Sequence, residues 1–259
     1  MRKSENTLEL ELLAASQWGM FTTAQAQNLG IRRSQVARMV AAVKVEPMCY
    51  GVYRFLVGAE PPQADIKAQW LSVSPKLTAA VRLSTKPFDA VLAGRSAAYA
   101  LGAGDFLAHP YTFIVRARKQ TSREDVHYLN CRLDERDVTY VDGVPVTSFE
   151  RTVYDLLRLD EDPDLVDKFM RSAVQEAGHR FDPERLACLL GTVASRYCFE
   201  SGMAFATDLI VRNVAVIQMS QAKEALGGAA AALYGRDKAA VLEAKLAEAL
   251  AGLEEGSDE

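Results

Sequence analysis

After Trp18 the chain reads G-M-F-T-T-A-Q-A-Q-N-L-G-I-R-R-S-Q-V-A-R-M-V and then, past a bend, C-Y-G-V-Y-R-F, ending at Phe55. This spacing predicts two short helices joined by a tight turn and followed by a hairpin. Thr22, with Gln25 three residues on, has the pattern of a capping box: the hydroxyl satisfies an early helix N–H and the glutamine reaches back. The first helix is expected to run to Leu29, where Gly30 supplies the left-handed residue that stops it. Ile31 then plugs the corner, and a second helix begins near Arg33. Its apolar positions Val36, Met39, Val40 and Val43 recur at helical spacing and predict a buried face. Arg33, Ser34, Gln35, Ala37, Arg38 and Ala41 form the opposite face. Long polar side chains near a helix N-terminus, with alanines that permit close approach, suit a helix lying in a major groove. The segment from Val45 to Phe55, with Gly51 at its turn, reads as a wing.

Amphipathic helix pairs are common, and the same pattern also fits a small helical hairpin whose arginines are merely solvated. Charge favours the DNA-binding reading. Between Trp18 and Phe55 stand five bases (Arg32, Arg33, Arg38, Lys44, Arg54) and one acid (Glu46), a local net charge of +4 in a chain whose net charge is −4. Phosphate contacts require such a local excess, not a basic protein as a whole. The expected DNA-contacting set is Thr23, Arg32, Arg33, Ser34, Gln35, Arg38, Lys44 and Arg54.

A chain of 259 residues holds one large or two modest domains, and 49% hydrophobic with 25% charged residues is ordinary for a globular protein. The opening M-R-K-S-E-N-T-L-E-L-E is charged and lacks an apolar core segment, which predicts no secretory leader. No uncharged apolar run is long enough to span a bilayer. Cys49, Cys131, Cys188 and Cys198 form no C-x-x-C pair, and His109, His127 and His179 lie far apart. Reduced thiols in the cytoplasm, no metal, no cofactor and no membrane partner are therefore expected.

Leu8 to Gln17 reads as a first helix packed beneath the two already described. The pair Pro61-Pro62 marks a linker, dividing the chain into residues 1–60 and 61–259. A piece ending near Glu60 is then expected to fold, though marginally. Ala64 to Val73 reads as a helix. Strands are expected at Ala90 to Ala93, Tyr111 to Ala117 and Val126 to Cys131, with a short helix from Arg95 to Leu101 closed by Gly102. Val138 to Val146 reads as a hairpin with Asp142-Gly143 at its tip. A helix from Thr147 to Leu159 follows, with Thr147 and Glu150 as its capping box. Asp162-Pro163 and Asp182-Pro183 each start a further helix, ended by Gly178 and Gly191 respectively. The expected fold is α+β and mainly helical: an N-terminal winged helix-turn-helix, then a larger mixed domain with strands over 61–146 and helices, including an alanine-rich tail, over 147–259.

These stretches together resemble the AbiEi-type antitoxins of abortive-infection toxin–antitoxin pairs. The resemblance rests on the helix-turn-helix segment, on the wing G-V-Y-R, on A-G-R-S-A-A-Y-A-L-G and on V-D-G-V-P-V-T-S-F-E-R-T-V-Y-D-L-L. It runs in the family's order from about Leu8 to Leu190. It implies an N-terminal winged helix that represses its own operon, with operator DNA carrying inverted repeats as one partner. It implies a C-terminal domain that counteracts a nucleotidyltransferase-type toxin, directly or, as the type IV label implies, indirectly, with no catalytic residue of its own. The alternatives are a truncated or degenerate nuclease-like protein with a winged-helix targeting module, and a transcription regulator with no toxin partner.

Two features could be mistaken for chemistry. Arg151 and Asp155 stand four apart and are expected to form an ordinary structural pair along one helix. Asp237 with Glu243 and Lys245 has the order of a D…E-x-K nuclease core, but in an alanine-rich helical stretch. Mg²⁺ needs converging oxygens, which residues strung around a helix do not provide.

Overall fold

The computed structural model describes residues 2–177 and 181–234. The expected stop at Gly178 and the Asp237–Glu243–Lys245 grouping lie outside the described residues. The chain divides into two compact units, Met1–Phe205 and Ala206–Glu259. The fold is α+β and mainly helical, with ten α-helices and two sheets among the described residues. No described helix is long and apolar enough to cross a membrane.

The first unit opens with α1 (Arg2–Ala15), which starts six residues earlier than its apolar pattern suggests. The chain then reverses through Trp18 and Gly19, both at positive φ, into strand β1 (Met20–Thr22). Helices α2 (Thr23–Asn28) and α3 (Arg33–Ala41) follow, and then the hairpin of β2 (Val45–Cys49) and β3 (Val52–Phe55). The three strands form an antiparallel sheet in the order β1-β3-β2. Leu10 and Ala14 of α1, Phe21, Ala26, Ile31, Val36, Val45 and Phe55 share one core on the helical side of this sheet.

The other side of the sheet is also covered. Met20 and Val52, neither exposed, belong to a second core with Ile66, Trp70 and Leu71 of α4 (Ala64–Val73). Strands alternate their faces residue by residue, so Met20 and Phe21 enter opposite cores. The chain therefore runs through Pro61-Pro62 into a helix that completes the burial of the first sixty residues. Trp18 meets Trp70 edge-on at 6.0 Å, and a Cβ on Gly143 would lie 3.3 Å from the Trp18 ring.

A five-stranded sheet fills the middle of this unit. Its strands are β4 (Ala90–Leu92), β5 (Tyr111–Val115), β6 (Val126–Leu129), β7 (Val138–Val141) and β8 (Val144–Thr147), in the order β6-β5-β4-β8-β7. The β4–β8 and β5–β6 pairs are parallel, and the other two are antiparallel. Helices α5 (Ala79–Ser84) and α6 (Gly94–Ala100) flank β4 in the chain. The β7–β8 turn places Asp142 and Gly143 both at positive φ, as a two-residue hairpin of this kind requires.

Three helices follow: α7 (Phe149–Arg158), α8 (Pro163–Ala177) and α9 (Pro183–Leu190). The capping box expected at Thr147 and Glu150 does not form. Thr147 is the last residue of β8, paired with Val138, and its hydroxyl bonds that of Thr152 at 2.7 Å. Ser148 caps α7 instead, accepting from the Arg151 N–H, while Glu150 accepts from the Asp182 N–H at 2.8 Å. Asp182 caps α9 as expected, accepting from the Arg185 N–H.

Arg151 and Asp155 form the expected i,i+4 pair at 2.9 Å, almost wholly buried. They belong to a larger ionic cluster, because Asp137 takes a forked pair of 2.7 Å bonds from Arg185 and lies 3.8 Å from Arg151. Burial raises the Asp155 carboxyl above its ordinary range, against the opposing pull of Arg151. The cluster ties the turn before β7 to α7 and α9.

Helix α10 (Gly202–Tyr234) crosses the division between units, and the described part of the second unit is helical. Within it Arg212 pairs with Asp208 one turn away, at 3.0 Å.

Candidate nucleic-acid interface

The candidate interface is built on α2 and α3, and α2 is fixed by its first turn. The Gln25 N–H donates to Thr22 Oγ1 at 3.0 Å, and the Thr22 N–H donates to Gln25 Oε1 at 2.9 Å, which completes the expected capping box. The same two side chains reach beyond the helix. Thr22 Oγ1 donates to the Pro75 carbonyl, and Gln25 Nε2 donates to the Leu77 carbonyl at 2.8 Å. Gln17 completes the joint, donating to Gln25 Oε1 and accepting from the Ala79 N–H. The angle at which α2 leaves the sheet is thus set by polar contacts to the segment after α4.

Gly30 then turns the chain at φ +75°, where any Cβ would also meet Asn6 Nδ2 at 3.0 Å. Ile31 enters the core and α3 begins. The Arg32 N–H donates to Gln35 Oε1 at 2.9 Å, so Gln35 is partly committed to capping its own helix. Val36 is buried, and Met39 and Val40 pack beside it. Val43 departs from the expected pattern. It lies beyond the helix at φ +55° and is 73% exposed, because the helix has already closed at Ala42.

Arg32, Arg33, Ser34, Ala37, Arg38 and Ala41 are exposed together on one side of α3. Arg38 lies back along the helix, its Nε 3.3 Å from the Ser34 carbonyl. Arg32, Ser34, Gln35 and Arg38 border a shallow depression shared with Asn6 of α1. On the hairpin side, Thr23, Gln27 and Arg33 line a wider groove of about 730 Å³ with Tyr50 and Tyr53. Thr23 ties the start of α2 to the hairpin turn, its N–H donating to the Gly51 carbonyl at 2.8 Å. Lys44 is exposed at the other end of the hairpin, just before β2.

Arg54 is placed differently from the rest of the expected set. It is 8% exposed, sits directly opposite Glu46 across the β2–β3 pair, and donates to Glu46 Oε1 from Nε at 2.7 Å. Its charge is spent inside the protein, and Glu46 is neutralised with it. Alternation along β3 could have shown this, since Arg54 shares a face with the buried Val52. Tyr50 was not in the expected set. It is 82% exposed at the hairpin tip, beside the groove that holds Arg33. Its position immediately before the turn glycine is the sequence signal for an outward side chain.

Among the described residues no group of three or more His, Cys, Asp or Glu side chains could hold a metal ion. The four cysteines are free thiols, and burial pushes the Cys49 thiol up to about 11.

No family model matches this chain, and no curated protein does. Among solved structures it is similar to the crystal structure of RV2827C protein from Mycobacterium tuberculosis. The identity is 16% and the TM-score 0.47, over 79% of this chain and 81% of that one.

Proposed function

We propose that this chain is a DNA-binding repressor that docks α3 in the major groove and lays the β2–β3 hairpin beside it as a wing. The observation that carries this reading is the single exposed face of α3. There Arg32, Arg33, Ser34 and Arg38 stand clear of the core, with Ala37 and Ala41 exposed beside them. Three helices with a β1-β3-β2 sheet whose hairpin follows α3 in the chain suit a winged helix. Arg33 and Tyr50 flank one groove, which allows a base contact and a backbone contact to be made together. The withdrawal of Glu46 into a pair with Arg54 removes the one acid of this region that would repel phosphate.

On the resemblance to AbiEi-type antitoxins, we further assign the protein to a toxin–antitoxin pair, acting against a nucleotidyltransferase-type toxin without chemistry of its own. Beyond Glu60 the chain carries a net charge of −6. An acidic surface suits association with a protein that handles nucleotides or RNA, because complementary charge speeds encounter and fixes orientation. The test is a gel-shift on the DNA upstream of its own coding sequence, followed by co-expression with the neighbouring toxin and a pull-down at low and high salt. Sequence-specific retardation, with a salt-sensitive complex, is the expected result. Absence of any preferred DNA, or metal-dependent cleavage of plasmid, would overturn the reading.

A further inference from the structure

Arg82, on α5, has no role in the proposed interface, yet it is among the most deeply buried side chains of the first unit. Its guanidinium lies flat on Trp70, with Cζ 3.5 Å from the ring centroid. Trp70 packs with Ala90, Leu92 and Val115, so Arg82 stands on the face of the central sheet turned toward α4. Nε donates to both Asp89 carboxylate oxygens at 2.9 and 3.1 Å, and Nη1 donates to the Trp70 carbonyl at 2.6 Å. Nη2 is buried and has no hydrogen-bond partner. A buried charged donor without an acceptor is costly, and native structures rarely leave one without a ligand, ion or water to receive it.

A hollow of about 260 Å³ opens on this same face, lined by Arg82, Asp89 and Lys119. Val73, Ser74 and Leu77, from the end of α4 and the turn after it, form another wall, to which Ser74 adds a hydroxyl. Lys119 leans across to donate to the Val73 carbonyl. Two cations thus share one carboxylate, and Arg82 already engages both of its oxygens. Burial pulls the Arg82 guanidinium below its ordinary range, against the opposing pull of Asp89. Burial and then the Arg82 charge do the same to the Lys119 ammonium. Both shifts have one meaning: the hollow holds more positive charge than its single acid offsets. A bound anion would relieve both.

We propose that this hollow is a binding site for a phosphate-sized oxyanion, held between Arg82 Nη2 and the Lys119 ammonium. The guanidinium supplies directed N–H donors that match phosphate oxygens in geometry as well as charge, and the lysine supplies a mobile point charge. Asp89 and Trp70 already fix the guanidinium, so little side-chain order has to be gained on binding. The volume lies just below the range of sites for drug-sized molecules. That limits the bound group to free phosphate or the phosphate of a small monoester. The site is separate from the α3 face and does not depend on the DNA-binding reading.

Calorimetric titration and thermal melts of the full chain with inorganic phosphate and with glycerol 3-phosphate, at constant ionic strength in chloride, test the site. Phosphate is expected to bind and to raise the melting temperature with concentration, as a ligand of the native state does. Lys119→Ala is expected to weaken phosphate binding at least about tenfold, the usual worth of a hydrogen bond to a charged group, and Lys119→Arg to keep it. The phosphate-dependent rise in melting temperature should shrink in Lys119→Ala whatever that variant's own stability, which separates lost binding from lost packing. Arg33→Ala should leave phosphate binding unchanged. Tighter binding of glycerol 3-phosphate than of phosphate would assign the hollow to a monoester, and equal or weaker binding to the free ion; either supports the site. No heat and no melting shift with phosphate in the wild-type chain, or binding indifferent to Lys119→Ala, would overturn the proposal.

Discussion

Glu46 and Arg54 face each other across the β2–β3 hairpin and close a salt bridge in which the arginine is buried and the glutamate half-exposed. The pair buries the Arg54 charge and leaves Arg32, Arg33, Arg38 and Lys44 as the exposed cations between Trp18 and Phe55.

Replacing Glu46 with alanine therefore separates stability from binding. Arg54 stays buried and loses its carboxylate, so unfolding in urea should show a loss of about 1–3 kcal/mol. DNA affinity should not rise, because Arg54 is not released to solvent. A stable variant with tighter DNA binding would mean that Arg54 can swing outward to phosphate.

The double-sided burial of the small sheet predicts that a fragment ending at Glu60 does not fold as the separable domain expected from Pro61-Pro62. Such a fragment exposes Met20 and Val52 and loses the Pro75 and Leu77 carbonyls that hold Thr22 and Gln25. Far-ultraviolet circular dichroism should show no cooperative melt. In the full chain, Met20→Ala should cost about 2–5 kcal/mol, as for other buried methionines. A fragment that melts sharply near the full chain's temperature would contradict the shared core.

Local signals in the sequence were legible where one residue controls one backbone bond. Thr22 with Gln25, Gly30, Asp182-Pro183 and Asp142-Gly143 all act within a few residues of themselves, and each is found in its expected role. The misread positions sit where an element ends under control from elsewhere. Val43 keeps the helical period, but α3 has closed one residue earlier. Thr147 has the right chemistry for a cap, yet pairing with Val138 keeps it in the strand and passes the role to Ser148. The order of the central sheet was out of reach for the same reason. Leu92 pairs with Val146 through contacts that no local pattern encodes. Of the candidate site, the α3 face was legible from periodicity, while the placement of Arg54 and Tyr50 required the hairpin register.

The α7 cap gives a direct check on that correction. Ser148→Ala should destabilise by about 1 kcal/mol in a urea titration, the usual worth of an N-cap hydroxyl. An unchanged midpoint would return the cap to Thr147.

Thiol chemistry offers a pH test. Burial raises the Cys49 pKa from 9.0 to about 11, so the thiol stays protonated where exposed thiols ionise. Cys188 and Cys198, both exposed, should be alkylated first at pH 8, with Cys49 reacting slowly and accelerating up to about pH 11. Because the folded pKa lies above the unfolded one, the unfolded chain ionises first. Stability contributed by the neutral thiol is present below pH 9.0 and is lost as pH rises toward 11. Cys49 reacting as fast as Cys188 in the native protein would contradict its burial.

The claim that α3 reads DNA is tested most directly by fluorescence anisotropy, titrating wild type and Arg33→Ala onto the upstream promoter DNA across a range of salt concentrations. The account predicts a loss of about 1–3 kcal/mol for the variant on the preferred sequence and a smaller loss on unrelated DNA, since a base contact carries discrimination. A uniform loss with a salt slope shallower by about one would assign Arg33 to phosphate alone. Unchanged affinity and salt dependence, in a variant whose melting curve matches wild type, would contradict α3 as the recognition helix.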